Sequence, residues 1–416
     1  MSTFHGLEMA KRALAAQQAA LYTTGHNISN ANTDGYTRQR VNLETLPAYP
    51  AASRNAPKIA GQLGQGVEAA SVERIRDSFL DSQYRTENGT ANYWETKSNA
   101  LRQIEGIFNE PSDSGLATVM NKFWQSLQDL SVNPDNAGVQ AVVVERGETV
   151  AETFNHLIKN LNGIQSNLEK EIDGAVKEAN ALLNHLSTLN TKIKELEFTG
   201  QTPNDLYDNR DKLIDELSGF IDVKALGLEN SESINIVYED NEIKVNGNTI
   251  DEKSGSIQAL LDTYQDNNDY LQEVKDLASS FANEFNDIIQ VETGEGSINF
   301  FEFNNDELQV SDETSNVSAF ILNRDKLNQF KTFNQYEQFI GRIGIDTQEA
   351  NRMTEYTNTL KTQIENQRMS ISSVSLDEEM TNMIKFQHAY NAAARSMTAM
   401  DEMLDRIINN MGIVGR

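Results

Sequence analysis

The chain has 416 residues, enough for two or three domains, because single hydrophobic cores stop growing at roughly 250–300 residues. Its 62 acidic against 35 basic residues leave a net charge of −27, which repels phosphate backbones and argues against a nucleic-acid partner. It has no cysteine, which excludes disulfides, thiolate metal sites and cysteine nucleophiles.

The N-terminus opens on a seven-residue repeat. Phe4, Leu7, Leu14, Leu21 and Ile28 alternate spacings of three and four, with Lys11, Gln18 and Gly25 in the intervening places, which is half of a coiled-coil seam. Glu8, Lys11 and Arg12 interrupt the apolar residues, so the segment is neither a cleaved signal nor a membrane span, and no other stretch predicts membrane insertion. The helix is expected to end within Asn27–Tyr36, where Asn30, Asn32 and Asp34-Gly35 form turns, and an extended segment follows. A long repeat at 157–197 (Leu168, Ile172, Ala175, Ala179, Leu182, Leu186, Leu189, Ile193, Leu196) predicts a helix of a central bundle. From Ile221 to Ile250 the period shortens: Ile234, Ile236 and Tyr238 alternate, and Asp240-Asn241 and Asn246-Gly247 mark turns between short strands. An amphipathic helix is expected over 256–289, with Leu260, Tyr264, Leu271, Val274, Ala278, Phe281, Phe285 and Ile288 inward. Strand-like pieces follow near Phe300–Phe303 and Leu308–Val310, then helix again through Met353, Leu360 and Ile364. The last repeat is the longest: Leu376, Met380, Met383, Gln387, Tyr390, Ala394, Met397, Asp401, Leu404, Ile408 and Met411, with a second stripe of Phe386, Ala393, Met400 and Ile407 beside it. Two stripes on one helix of roughly 50 Å imply more than one partner helix.

No catalytic or metal-binding constellation stands out in the sequence. The five histidines are scattered and no zinc spacing occurs. The Gly61–Gly66 run lacks the Lys-Ser/Thr of a phosphate loop and reads as a turn entering a strand. Asp377, Glu378 and Glu379 read as first-turn carboxylates favoured by the helix dipole, with Ser375 as N-cap. Asp208 and Lys212 read as a local four-residue pair on a helix surface. The Asn88 and Asn316 glycosylation triplets occur at chance level.

The run Asn27-Ile28-Ser29-Asn30-Ala31-Asn32-Thr33-Asp34-Gly35-Tyr36-Thr37-Arg38-Gln39 resembles the N-terminal signature shared by rod, hook and hook-associated proteins of the bacterial flagellum. That family usually has Pro where Asp34 stands, and either residue can begin the turn that Gly35 completes. Val374–Asn382, Phe386–Arg395 and Asp401–Asp405 narrow the likeness to hook-associated members of the hook–filament junction, and Leu130–Pro134 and Asn204–Asp211 are similar to their middle. The likeness covers the chain and is weakest across 221–255.

The expected fold is therefore mainly α with a small β insert: elongated, with N- and C-terminal helices paired as a coiled coil, a central helical bundle and an outer β-rich insert. The expected domains are 1–60 with 369–416 for assembly, 61–220 with 256–368 for the bundle, and 221–255 for the insert, an extension to 322 being left open. Charge agrees: six basic residues face three acidic ones in 1–60 and four face six in 369–416, so the negative excess lies in the middle. The assembly surface is expected at Phe4, Leu7, Leu14, Leu21, Ile28, Leu376, Met380, Met383, Gln387, Tyr390, Ala394, Met397, Asp401, Leu404 and Ile408, its stripes bare in the lone chain. Gln387 and Asp401 would set register or allow sliding. Asn30, Ala31, Asn32, Gly35, Tyr36, Asp377, Glu378 and Glu379 carry the family motif. The resemblance implies a structural subunit with no reaction, metal or cofactor, secreted unfolded through the flagellar type III channel with a chaperone on its C-terminal helix. It also implies a ring of like subunits touching hook protein and hook-associated protein 3. The rivals are another axial protein, such as hook-associated protein 3 or a flagellin, and a coiled-coil scaffold or adhesin.

Overall fold

The computed structural model describes residues 3–49, 63–224, 234–239, 242–246, 248–249, 253–293, 296–311, 319–323 and 331–410. The molecule is 74% helical, with short antiparallel strands, so the fold is mainly α. Two compact units divide the chain: Met1–Tyr84 with His185–Asp215 and Thr362–Arg416, and Arg85–Asn184 with Glu216–Lys361.

In the first unit, α1 (Thr3–Ser29) and α8 (Leu376–Asn410) pack antiparallel, Gly6 lying against Met400 at one end and Asn27 against Glu379 at the other. A hairpin of β1 (Gln39–Thr45) and β2 (Val67–Arg74) runs from Gln39 opposite Arg74 to Thr45 opposite Val67. Gly66, at φ +95°, brings the backbone entering β2 against Met9 of α1, and a Cβ there would stand 3.0 Å from the Met9 side chain. The start of α2 (Ser78–Phe108), the end of α4 (Ala137–Phe198), most of α5 (Asn204–Phe220) and the end of α7 (Thr332–Ser372) complete the unit.

The second unit holds the rest of those helices with α3 (Leu116–Val132) and α6 (Ser256–Ile288). Phe123 of α3 anchors its core, its ring tilted against Phe285 at 4.6 Å and within 6.1 Å of Phe281, Phe300 and Phe301. All eight α6 positions expected to face inward are buried. The β structure attaches to helices through asparagines that bond one strand residue at both its N–H and its C=O, satisfying an otherwise open edge. Asn180 does this for Ile236 in β3 (Ile236–Glu239), which pairs with β4 (Glu242–Val245) and through it with β5 (Asn248–Thr249). Asn155 and Asn286 do the same for Leu308 and Phe301, in the hairpin of β9 (Glu307–Val310) and β8 (Phe301–Asn304). β6 (Ile289–Thr293) lies between β7 (Gly296–Asn299) and β10 (Ala319–Leu322).

The observed division differs from the expected domains. The boundary expected at 60/61 falls at 84/85, because the hairpin that follows α1 pairs back onto it, and residues 185–215 join the chain ends. Apart from the β1–β2 hairpin after α1, the described strands lie in two places, between α5 and α6 and after α6. Helix α4 starts at Ala137, earlier than its clearest repeat. The turn residues Asp240, Asn241 and Gly247, with Gly61, Asn316 and Met411, lie outside the described residues.

Candidate assembly surface at the paired chain ends

Helix α1 carries two heptad seams. The one that the chain itself covers is built from small residues: Ala10, Ala16 and Ala20 are buried with Thr24 and Asn27, which lets α8 approach closely. The seam expected from Leu7, Leu14, Leu21 and Ile28 lies on the flank and stays half-buried, while Phe4 is 66% exposed. The alanines were legible as a stripe of small residues at helical spacing, but apolar size drew the pattern to the leucines instead.

Helix α8 sorts its residues similarly. Met383, Phe386, Tyr390, Ala393, Met397, Met400 and Leu404 step by three and four and take the half-buried or buried side, so the covered seam alternates between the two expected stripes. Ala394 is half-buried, whereas Leu376, Met380, Gln387, Asp401 and Ile408 are exposed. The expectation that both terminal stripes stand bare in the lone chain is therefore corrected: each end covers one seam of the other. A helix with two adjacent seams can bury only one against a single antiparallel partner.

The motif residues meet at the far end of this pair, in a polar knot. Asn27, 1% exposed, uses its whole amide. Its Oδ1 accepts from the Gln39 N–H (3.0 Å) and the Tyr36 hydroxyl (2.8 Å), and its Nδ2 donates to Gln39 O (2.8 Å) and Glu379 Oε2 (3.1 Å). Arg38 Nε donates to Glu379 Oε1 at 2.8 Å, and another Arg38 nitrogen reaches Glu378 at 2.7 Å. Glu379 thus does more than complement a helix dipole: it is a buried carboxylate with two donors from the other end of the chain. Asp208 and Lys212 do not pair locally as expected. Asp208 is buried and accepts from the Thr37 N–H (3.0 Å) and Arg74 (2.9 Å), while Lys212 reaches Asp34 at 2.6 Å and holds its carboxyl below the usual carboxylate range. Burial, followed by the nearby Asp205, Asp208 and Glu379 charges, pushes the Tyr36 hydroxyl far up, so it stays a donor. His26 completes the group, its Nδ1 lying 3.0 Å from the Tyr36 hydroxyl.

The turn before the knot is made by Asn30, which donates to the His26 carbonyl and accepts from Thr33, then by Gly35 at φ +80°. Ala31 is half-buried and Asn32 exposed in that turn, and Asp377 and Glu378 are exposed in the first turn of α8. A second charged cluster adjoins: Arg76 grips Asp81 with two bonds of 2.8 Å and meets Asp211 at 3.1 Å, and Arg368 pairs with Asp215 at 2.5 Å above the Tyr84 ring. Arg74, Arg76 and Asp81 were missed in the sequence because no periodicity links them, and Asp211 was read only as part of a helix-surface charge pairing. Asn88 is buried in α2 and bonded to Ser218, which removes it as a glycan acceptor. Among the described residues, no three His, Asp or Glu converge as a metal site, and no helix is long and apolar enough to cross a membrane.

The family of the flagellar hook-associated protein FlgK helical domain matches residues 101–252. The flagella basal body rod protein family matches 7–37, and the C-terminal family of the basal body rod FlgEFG proteins matches 365–411, so the rod families fall on α1 and α8 with the end of α7. Flagellar hook-associated protein 1 of Bacillus subtilis (strain 168) is 40% identical over the whole of both chains. The chain belongs to the flagellar hook-associated protein 1 family. It is a structural component of the flagellum and not an enzyme. The family members of Escherichia coli (strain K12) and Salmonella typhimurium (strain LT2) are 28% and 27% identical across 58% of this chain, matching 43% and 42% of their own lengths. A solved structure of the flagellar hook junction protein FlgK from Burkholderia pseudomallei is 15% identical, with a TM-score of 0.42 over 53% of this chain and 46% of that one.

Proposed function

We propose that the chain is the adaptor that couples the flexible hook to the stiffer filament, assembling as a ring of like subunits through its terminal helices. The observation that carries this reading is the second α1 seam. After α8 and the hairpin have covered Ala10, Ala16 and Ala20, the stripe of Phe4, Leu7, Leu14, Leu21 and Ile28 remains half-covered along the helix. Leu376, Met380 and Ile384 add exposed apolar area on α8, at 47%, 57% and 54%. Copies of the chain, hook protein and hook-associated protein 3 are the partners that cover these stripes. Before assembly, an export chaperone on α8 covers its share, and the subunit leaves the cell through the flagellar export channel to the extracellular hook–filament junction.

The test is Leu14→Lys, which puts a charge in the half-covered seam at a desolvation cost of several kcal/mol on assembly. Cells carrying it should export the protein, seen in the medium, and fail to extend filaments, seen by imaging labelled flagella. Normal filaments with the variant at the junction would refute the reading, as would parent protein retained inside cells whose export gate works.

A further inference from the structure

All but two of the 11 methionines, Met120 and Met353, belong to the unit formed by the chain ends, and the chain has no cysteine. Among the described residues, six methionines lie on the α1–α8 pair: Met9 on α1, and Met380, Met383, Met397, Met400 and Met403 on α8. Met380 and Met403 are 57% and 48% exposed, each beside an exposed isoleucine one helical turn on, Ile384 and Ile407, whereas Met369 (46%) lies on α7 and Met9 (39%) sits against Gly66. Met120, in the phenylalanine core, is 1% exposed. Met400 is committed to the seam, its methyl carbon 2.8 Å from where a Cβ at Gly6 would stand. A thioether is apolar and adaptable, suited to packing against neighbours of more than one shape, whereas its sulfoxide is polar and disrupts such a face.

We propose that Met380 and Met403, one near each end of α8, are two oxidant-modified positions whose oxidation blocks assembly of the unassembled subunit. The inference rests on the assembly role of α8 given above. In the step, a peroxide oxygen is transferred to the thioether: the O–O bond breaks, an S=O bond forms, sulfur loses two electrons and the peroxide is reduced to water. A subunit already assembled hides these sulfurs against its neighbours, so the modification acts on the subunit in transit.

The full-length chain is treated with hydrogen peroxide, sulfoxides are mapped by peptide mass spectrometry, and self-association is measured by sedimentation before and after. The ratio of treated to untreated association is compared between the parent and Met380→Leu/Met403→Leu, so any change in the variant's own association cancels. Met380 and Met403 should oxidise about tenfold faster than Met120, because reaction follows thioether exposure. Parent association should fall about tenfold and return with a methionine sulfoxide reductase, while the double variant holds its ratio near one. Treated parent that associates as before overturns the proposal, and so does an equal loss in the double variant. An untreated parent that does not associate overturns the assembly reading instead, together with what rests on it.

Discussion

Arg38 and Glu379 make an asymmetric pair, and the asymmetry predicts which of two substitutions does more harm. Glu379 has a side chain 3% exposed and takes its donors from Arg38 and Asn27 alone among the hydrogen bonds described above, whereas Arg38 also reaches Glu378, which is 61% exposed. Arg38→Met strands a buried carboxylate with one amide donor, a loss of about 3–5 kcal/mol. Glu379→Met leaves the guanidinium with a solvated partner and removes one charge-assisted bond, a loss of about 1.5–3 kcal/mol. In the double variant no charge is stranded, so its loss should match that of Glu379→Met and give a coupling of about 3–5 kcal/mol. Hydrogen exchange of the α8 amides measures this where the pair acts, because both tryptophans, Trp94 and Trp124, lie in the other unit and cannot report it. The opening constant of α8 should rise about a thousandfold in Arg38→Met, since each 1.4 kcal/mol is tenfold. Equal losses in the two single variants that add in the double would refute the argument, because they would mean that the carboxylate is not stranded.

Three further outcomes follow from the second unit. Burial first, then the carboxylates of Asp262, Asp346 and Glu110 that accept from them, push the hydroxyls of Tyr93, Tyr270 and Tyr336 far up. The unfolded chain releases these protons near pH 10 while the folded chain keeps them, so stability should fall above about pH 10 by about 1.4 kcal/mol per pH unit for each group. Tryptophan-monitored urea melts read this slope, and replacing all three tyrosines with Phe should flatten it. Gly255→Ala should lose more than about 2 kcal/mol in the same melts, because φ is +84° and a Cβ would stand 2.2 Å from the Phe220 carbonyl oxygen. Gly341→Ala and Gly344→Ala, both within α7 and open to space, should each gain about 0.5–1 kcal/mol.

The sequence by itself determined the two terminal repeats, the repeat within α4 and the helix α6, because apolar periodicity and residue type are local properties that need no partner to be read. The inward face of α6 and the turn at Gly35 were legible for that reason. Only the tertiary structure decided which seam the chain spends on itself. On α1 that choice fell to alanines rather than leucines, because close helix approach rewards small side chains, and approach distance belongs to the pair and not to either helix. The polar knot was decided there too: Asn27 and Glu379 are 352 residues apart, and Thr37 and Asp208 are 171 apart. Contacts of that kind leave no period in the sequence, since they join segments that meet only after the chain has gone out and come back.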